Sequence, residues 1–123
     1  MDVTPLVAKD RQVIESYGAQ GFRVSGVVHS GAILVLPQAT TAWPVAGVAD
    51  ITIGSLAPVL DAGAQILLLG CGRRVAPISA SLRSDLRARG VVIDAMDTGA
   101  ACRTYNVLLA EDRRVAAALL PIA

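Results

Sequence analysis

Aromatic side chains are scarce: one Phe, one Trp and two Tyr make up 3% of 123 residues. A core without many rings has to come from Val, Leu, Ile and Ala, and at 54% hydrophobic content that mix suits strands covered on both faces. Lysine is represented by Lys9 alone and no Gly-Lys-Ser/Thr run occurs, which excludes a phosphate-binding P-loop. His29 is the one histidine, so a metal site of several imidazoles is excluded. The two cysteines, Cys71 and Cys102, are spaced unlike any zinc or disulfide framework and read as reduced thiols. Charge of one sign is also missing. Eleven basic residues against ten acidic ones give a formal net charge of +1, too little to neutralise many phosphates, so no nucleic-acid partner is expected.

From Val24 to Ala49 there is no Asp, Glu, Lys or Arg, long enough to raise the question of a membrane span. Pro37, Gln38, Thr40, Thr41 and Pro44 interrupt the second half of that stretch, and the apolar run 32–36 is only strand-sized, so no span is expected. Residues 1–11 carry Asp2, Lys9 and Asp10 without an apolar core, unlike a secretory signal, and are expected to be a poorly ordered N-terminal segment of a single domain over 1–123. A cytoplasmic location follows as the expectation.

The first half reads as a meander of short strands: 12–17 and 22–28, then 32–36 after a break at Ser30-Gly31. Trp43-Pro44 closes it near a sheet edge, where proline is tolerated. The second half changes period. Thr52 or Ser55 can cap a short helix ended by Gly63. A continuous apolar strand over 65–69 leads into the loop Gly70-Cys71-Gly72-Arg73-Arg74. Ile78, Leu82 and Leu86 then repeat at helical spacing up to Gly90, and 91–95 is the next strand. That βαβ unit predicts two parallel strands. A helix capped by Asp97 or Thr98 runs to about Glu111, with Ala101, Tyr105 and Leu108 on one face and Arg103, Asn106 and Ala110 on a more polar stripe. A closing strand over 114–120 ends at Pro121. The fold class is therefore α/β with a β-rich N-terminal half.

Ligands of parallel sheets bind beyond the carboxyl ends of the strands. Gly70, Cys71, Gly72 and Arg73 follow one such strand; Asp97 and Thr98 follow its partner, with Arg103 and Asn106 on the helix beyond. Backbone N–H groups at the helix start and the two arginines would suit a small anionic ligand. The plainer reading is that the glycines make the turn, Asp97 and Thr98 cap, and the arginines are solvated. The pair Gly70-x-Gly72 lacks the third glycine of a dinucleotide fingerprint. Cys71 between glycines and beside Arg73 invites a thiol-dependent activity, although no base is in view, and a redox pair with Cys102 is a further idea. His29 and Ser30 are adjacent and would diverge on a strand, which argues against a Ser–His pair. Asp94 and Asp97 read as turn and cap residues before they read as paired carboxylates.

The run from Met96 to Leu108, Met-Asp-Thr-Gly-Ala-Ala-Cys-Arg-Thr-Tyr-Asn-Val-Leu, and the segment 111–120 after it carry a resemblance. Ser25-Gly26, His29-Ser30-Gly31, Trp43-Pro44 and Leu67-Leu68-Leu69-Gly70-Cys71-Gly72 support it. The chain from about Gln12 onward resembles a family of small proteins of unknown molecular function that includes the mitochondrial respiratory complex I assembly factor three and the adipogenesis-associated protein. The resemblance implies a three-layer fold around a mixed, mostly parallel sheet with one strand antiparallel to the others. Relatives often have Thr where this chain has Cys71, which weighs against a general thiol mechanism, and the family has no agreed catalytic residues to transfer. It implies a non-enzymatic accessory or assembly role, with respiratory complex subunits or assembly factors as partners. No cofactor and no metal are expected, and exposed strand edges leave a homodimer open.

Overall fold

The computed structural model describes residues 11–122, so the expectation for the N-terminal segment falls, apart from Arg11, outside the described residues. Five strands come first: β1 (Ile14–Tyr17), β2 (Gly21–Val24), β3 (Val27–Ser30), β4 (Ile33–Val35) and β5 (Thr40–Ala42). Two single-turn 3-10 helices lead into α1 (Ala57–Asp61), followed by β6 (Ile66–Cys71), α2 (Ala80–Ala88), β7 (Val92–Met96), α3 (Thr98–Ala110) and β8 (Val115–Leu120). β1, β2 and β3 form an antiparallel three-stranded sheet. The other strands form a five-stranded sheet in the order β5-β4-β8-β6-β7.

β6, β7 and β8 are parallel, whereas β4 is antiparallel to both β8 and β5, so β4 alone runs against the other four strands. That is the mixed sheet the resemblance implies. β8 lies in the middle because every residue in it is apolar and buried: Ala116, Ala118 and Leu120 face one core, Val115, Ala117 and Leu119 the other. Leu56 and Val59 at α1 and Leu82 and Leu86 of α2 cover the first face. Ala101, Cys102, Tyr105 and Leu109 of α3 share the second with Ile14, Tyr17, Phe22 and Val24 of the small sheet. Three layers result. The three alanines of β8 let both covering layers approach closely.

Of the two cap candidates for α3, Asp97 is the one that caps, and α2 is capped by Ser79. Ser79 Oγ accepts from Leu82 N at 3.1 Å and Asp97 Oδ1 accepts from Ala100 N at 2.9 Å. Two expectations need correction. The run 22–28 is not one strand: Ser25 (φ 45°) and Gly26 (φ 84°) form a two-residue left-handed turn that makes β2 and β3 a hairpin. Ser25 tolerates that conformation because its hydroxyl accepts from Val13 N at 2.9 Å and donates to the Arg11 carbonyl at 3.2 Å. Nor does Thr52 or Ser55 cap α1. Each accepts a hydrogen bond from the other's backbone N–H at 3.1 Å, which closes the preceding 3-10 turn, while α1 starts from Leu56 without a side-chain cap. Pro58 in its first turn removes one N–H that would have needed a partner.

Candidate functional site

The loops after β6 and β7 meet because the connections leave the sheet toward opposite faces, α2 on one and α3 on the other, the arrangement of a topological switch point. Thr98 joins them. Its N–H donates to the Gly72 carbonyl at 2.8 Å, its hydroxyl accepts from Gly72 N at 2.8 Å, and the same hydroxyl donates to the Leu120 carbonyl at 2.6 Å. One fully buried side chain therefore ties the ends of β6 and β8 to the start of α3. Gly70 is what allows the approach: a Cβ there would lie 2.9 Å from Thr98 Oγ1 and 3.0 Å from Thr98 Cα.

Of the residues singled out from sequence, Gly70, Gly72, Asp97 and Thr98 stand together at this junction. Thr98 N–H and Ala100 N–H, two of the first donors of α3, are already taken by Gly72 and by the Asp97 carboxylate. Arg73 is exposed on the loop beside Arg74 and Val75. Arg103 turns the other way, donating from Nη1 to the Tyr17 hydroxyl at 2.9 Å. Cys71 is half-buried on the α2 side of the sheet, and its sulfur lies 3.9 Å from the Ala76 carbonyl oxygen. Cys102 is buried in the core under α3, on the opposite face, so the idea of a redox pair fails on the alternation of side chains along β6. Burial pushes the Cys102 thiol up to about 12, with Arg103 opposing, which keeps it protonated and unreactive. Among the described residues no group of three or more His, Cys, Asp and Glu could hold a metal ion.

Asn106 is the largest departure from expectation. It is only 2% exposed and does not belong to a polar stripe. Its amide donates from Nδ2 to the Ile14 carbonyl at 2.7 Å and accepts from Ile14 N on Oδ1 at 3.1 Å, pairing with β1 as a neighbouring strand would. Tyr105, one residue earlier, donates its hydroxyl to the Gln12 carbonyl at 3.0 Å, and burial raises its pKa well above the ordinary tyrosine value. The Tyr-Asn pair thus fastens the small sheet to α3. Tyr17 completes the contact, seated on Gly99, where a Cβ would lie 2.7 Å from its hydroxyl oxygen. Tyr17, Gly99 and Ile14 were not singled out from sequence. A glycine in the first turn of an otherwise strong helix was the available signal, because it weakens the helix unless something packs there.

A family model described as "Protein of unknown function (DUF498/DUF598)" matches residues 14–120, from the first residue of β1 to the last of β8. The chain belongs to this family. A DUF498/DUF598 chain of this kind is 38% identical over 111 residues to a Danio rerio protein named NADH dehydrogenase [ubiquinone] 1 alpha subcomplex assembly factor 3, over 89% of this chain and 64% of that protein. It is 41% identical to an uncharacterized protein of Rhodobacter capsulatus, over 89% of this chain and 84% of that one. The solution structure of a Bordetella pertussis protein, described as a Mth938-like domain, superposes with a TM-score of 0.83 at 33% identity, covering 100% of this chain and 94% of that one. The family member described here thus spans less than two thirds of the Danio rerio assembly factor's length. Among its described residues no helix is long and apolar enough to cross a membrane.

Proposed function

We propose that this chain is a non-enzymatic accessory protein of respiratory-complex assembly, which binds a protein subunit or another assembly factor through the rim beyond the carboxyl ends of β6 and β7. The observation that carries the reading is that the segment of α3 on which the resemblance rests has its polar groups engaged inside the molecule. Thr98 joins strand ends, Tyr105 and Asn106 hold the small sheet, and Asp97 caps, so these residues serve a rigid support and not an open reaction centre. What that support holds outward is the loop with Arg73, Arg74 and Val75, the last 62% exposed although apolar. An exposed Val preceded by two arginines suits protein recognition, where an apolar contact sits beside charged groups. Likeness to proteins named as assembly factors supports the class of partner. A cytoplasmic working place goes with this reading. An anion held by Thr98, Arg73 and Arg103 has less support, since the Thr98 hydroxyl and N–H are both occupied and Arg103 faces Tyr17.

The test is genetic and biochemical. In cells lacking the gene, the wild-type chain should restore the assembled NADH dehydrogenase complex on a native gel, and the double variant Arg73→Glu, Val75→Asp should restore less than a fifth of it while folding normally. Full restoration by that variant would remove the rim from the account, and unchanged complex levels in the deletion strain would remove the assembly role itself.

A further inference from the structure

The opposite end of the sheet carries a second feature, independent of the partner reading. Where α3 ends and β8 begins, the turn Asp112-Arg113-Arg114 faces the Leu36-Pro37 corner after β4 and the Ala62-Gly63 loop after α1 across a cleft of about 710 Å³. Arg11 closes one side, and its Nη2 lies 3.2 Å from Asp112 Oδ1. Three arginines and one aspartate are therefore among the residues that line the cleft.

The arginines are not needed to finish the helix. The last carbonyls of α3, those of Val107, Leu108 and Leu109, already accept hydrogen bonds from the N–H groups of Glu111, Asp112 and Arg113. Arg113 and Arg114 are exposed, and no described residue gives either guanidinium an ion pair or a hydrogen bond. Leu36, Pro37, Ala62 and Ala64 provide an apolar wall, and Gly63 (φ 74°) leaves the floor without a side chain. A cleft of this volume, with an apolar wall and several arginines in its lining, suits a small ligand with an acidic group. Arginine is the cation suited to it, because its planar fork matches phosphate and carboxylate oxygens in pairs.

We propose that this cleft binds a small anionic molecule carrying two negative charges, of the phosphate-ester or dicarboxylate class, held by Arg113 and Arg114 with Arg11 in support. Asp112 occupies part of the site in competition, since its carboxylate already neutralises Arg11.

The full-length chain is titrated with sodium phosphate and, separately, with sodium malonate, at constant ionic strength kept by sodium chloride, and followed by ¹H–¹⁵N correlation spectra. Saturable shifts of the Gly63, Ala64, Arg113 and Arg114 amides are expected, and whichever anion binds more tightly reads the class of the natural ligand. The double variant Arg113→Ala, Arg114→Ala should weaken binding at least tenfold. Asp112→Asn should tighten it about threefold; the residue sits at φ 59°, a conformation Asn tolerates, so the fold is kept. Shifts equal to those from chloride alone, shifts centred on Gly72 and Thr98 instead, or unchanged affinity in both variants would overturn the proposal.

Discussion

Cys102 and Asn106 sit four residues apart on α3, both face the core, and each decides a different matter. The buried thiol has to ionise in the unfolded chain above its ordinary value of 9.0 but resists doing so in the folded one until about pH 12. The sign follows from proton counting. Below pH 9 both states hold the proton and nothing is lost; above it the unfolded state releases the proton first, so stability falls by about 1.4 kcal/mol per pH unit through that window. Urea unfolding at pH 8, 9 and 10 should show this decline, and Cys102→Ala should remove one proton's share of it. An identical pH dependence in the variant would mean that the thiol is not buried as described. Asn106 reads from the sequence as part of a polar stripe and a candidate ligand contact, whereas its amide is buried against β1. Its partner Ile14 is 92 positions away, and nothing local in a sequence records so distant a pairing.

At the scale of elements, the parts with local causes were readable. The βαβ unit from β6 to β7, the cap at Asp97 and the stop at Gly90 each rest on hydrophobic spacing or on single residues close by in the chain. The hairpin between β2 and β3 was hidden because Val24 and Val27 flank Ser25-Gly26 and extend an apolar run straight across the turn. The placement of β8 between β4 and β6 is a consequence of its being apolar on both faces, and periodicity alone does not say which strand runs against the rest. The site shows the same division. Gly70, Gly72, Asp97 and Thr98 came together because strand ends of a βαβ unit share a rim, whereas Arg103 was drawn away by Tyr17 on a separate sheet. The junction between α3 and β1 is therefore where sequence reasoning ended. Asn106→Leu keeps the size but strands one buried N–H and one buried C=O of Ile14, each costing about 1–3 kcal/mol. Chemical denaturation should find a loss of about 3 kcal/mol, and a change below about 0.5 kcal/mol would show that the amide pairing contributes little.

At the scale of the whole molecule, the two sheets behave as one body because Thr98, Tyr105 and Asn106 of α3 join them. Thr98 anchors the central sheet at one end, Tyr105 and Asn106 anchor the small sheet along the helix, and the two outward features, the Arg73 loop and the arginine cleft, lie at opposite ends of that support. A protein of this size has little stability to divide between independent parts, so a loosely attached small sheet would open on its own. Native-state hydrogen exchange distinguishes the two cases directly. The Ile14 amide, bonded to Asn106 Oδ1, is predicted to exchange with the same opening free energy as the Ala117 and Leu119 amides of β8. Exchange at Ile14 a hundredfold or more faster than in β8 would contradict it.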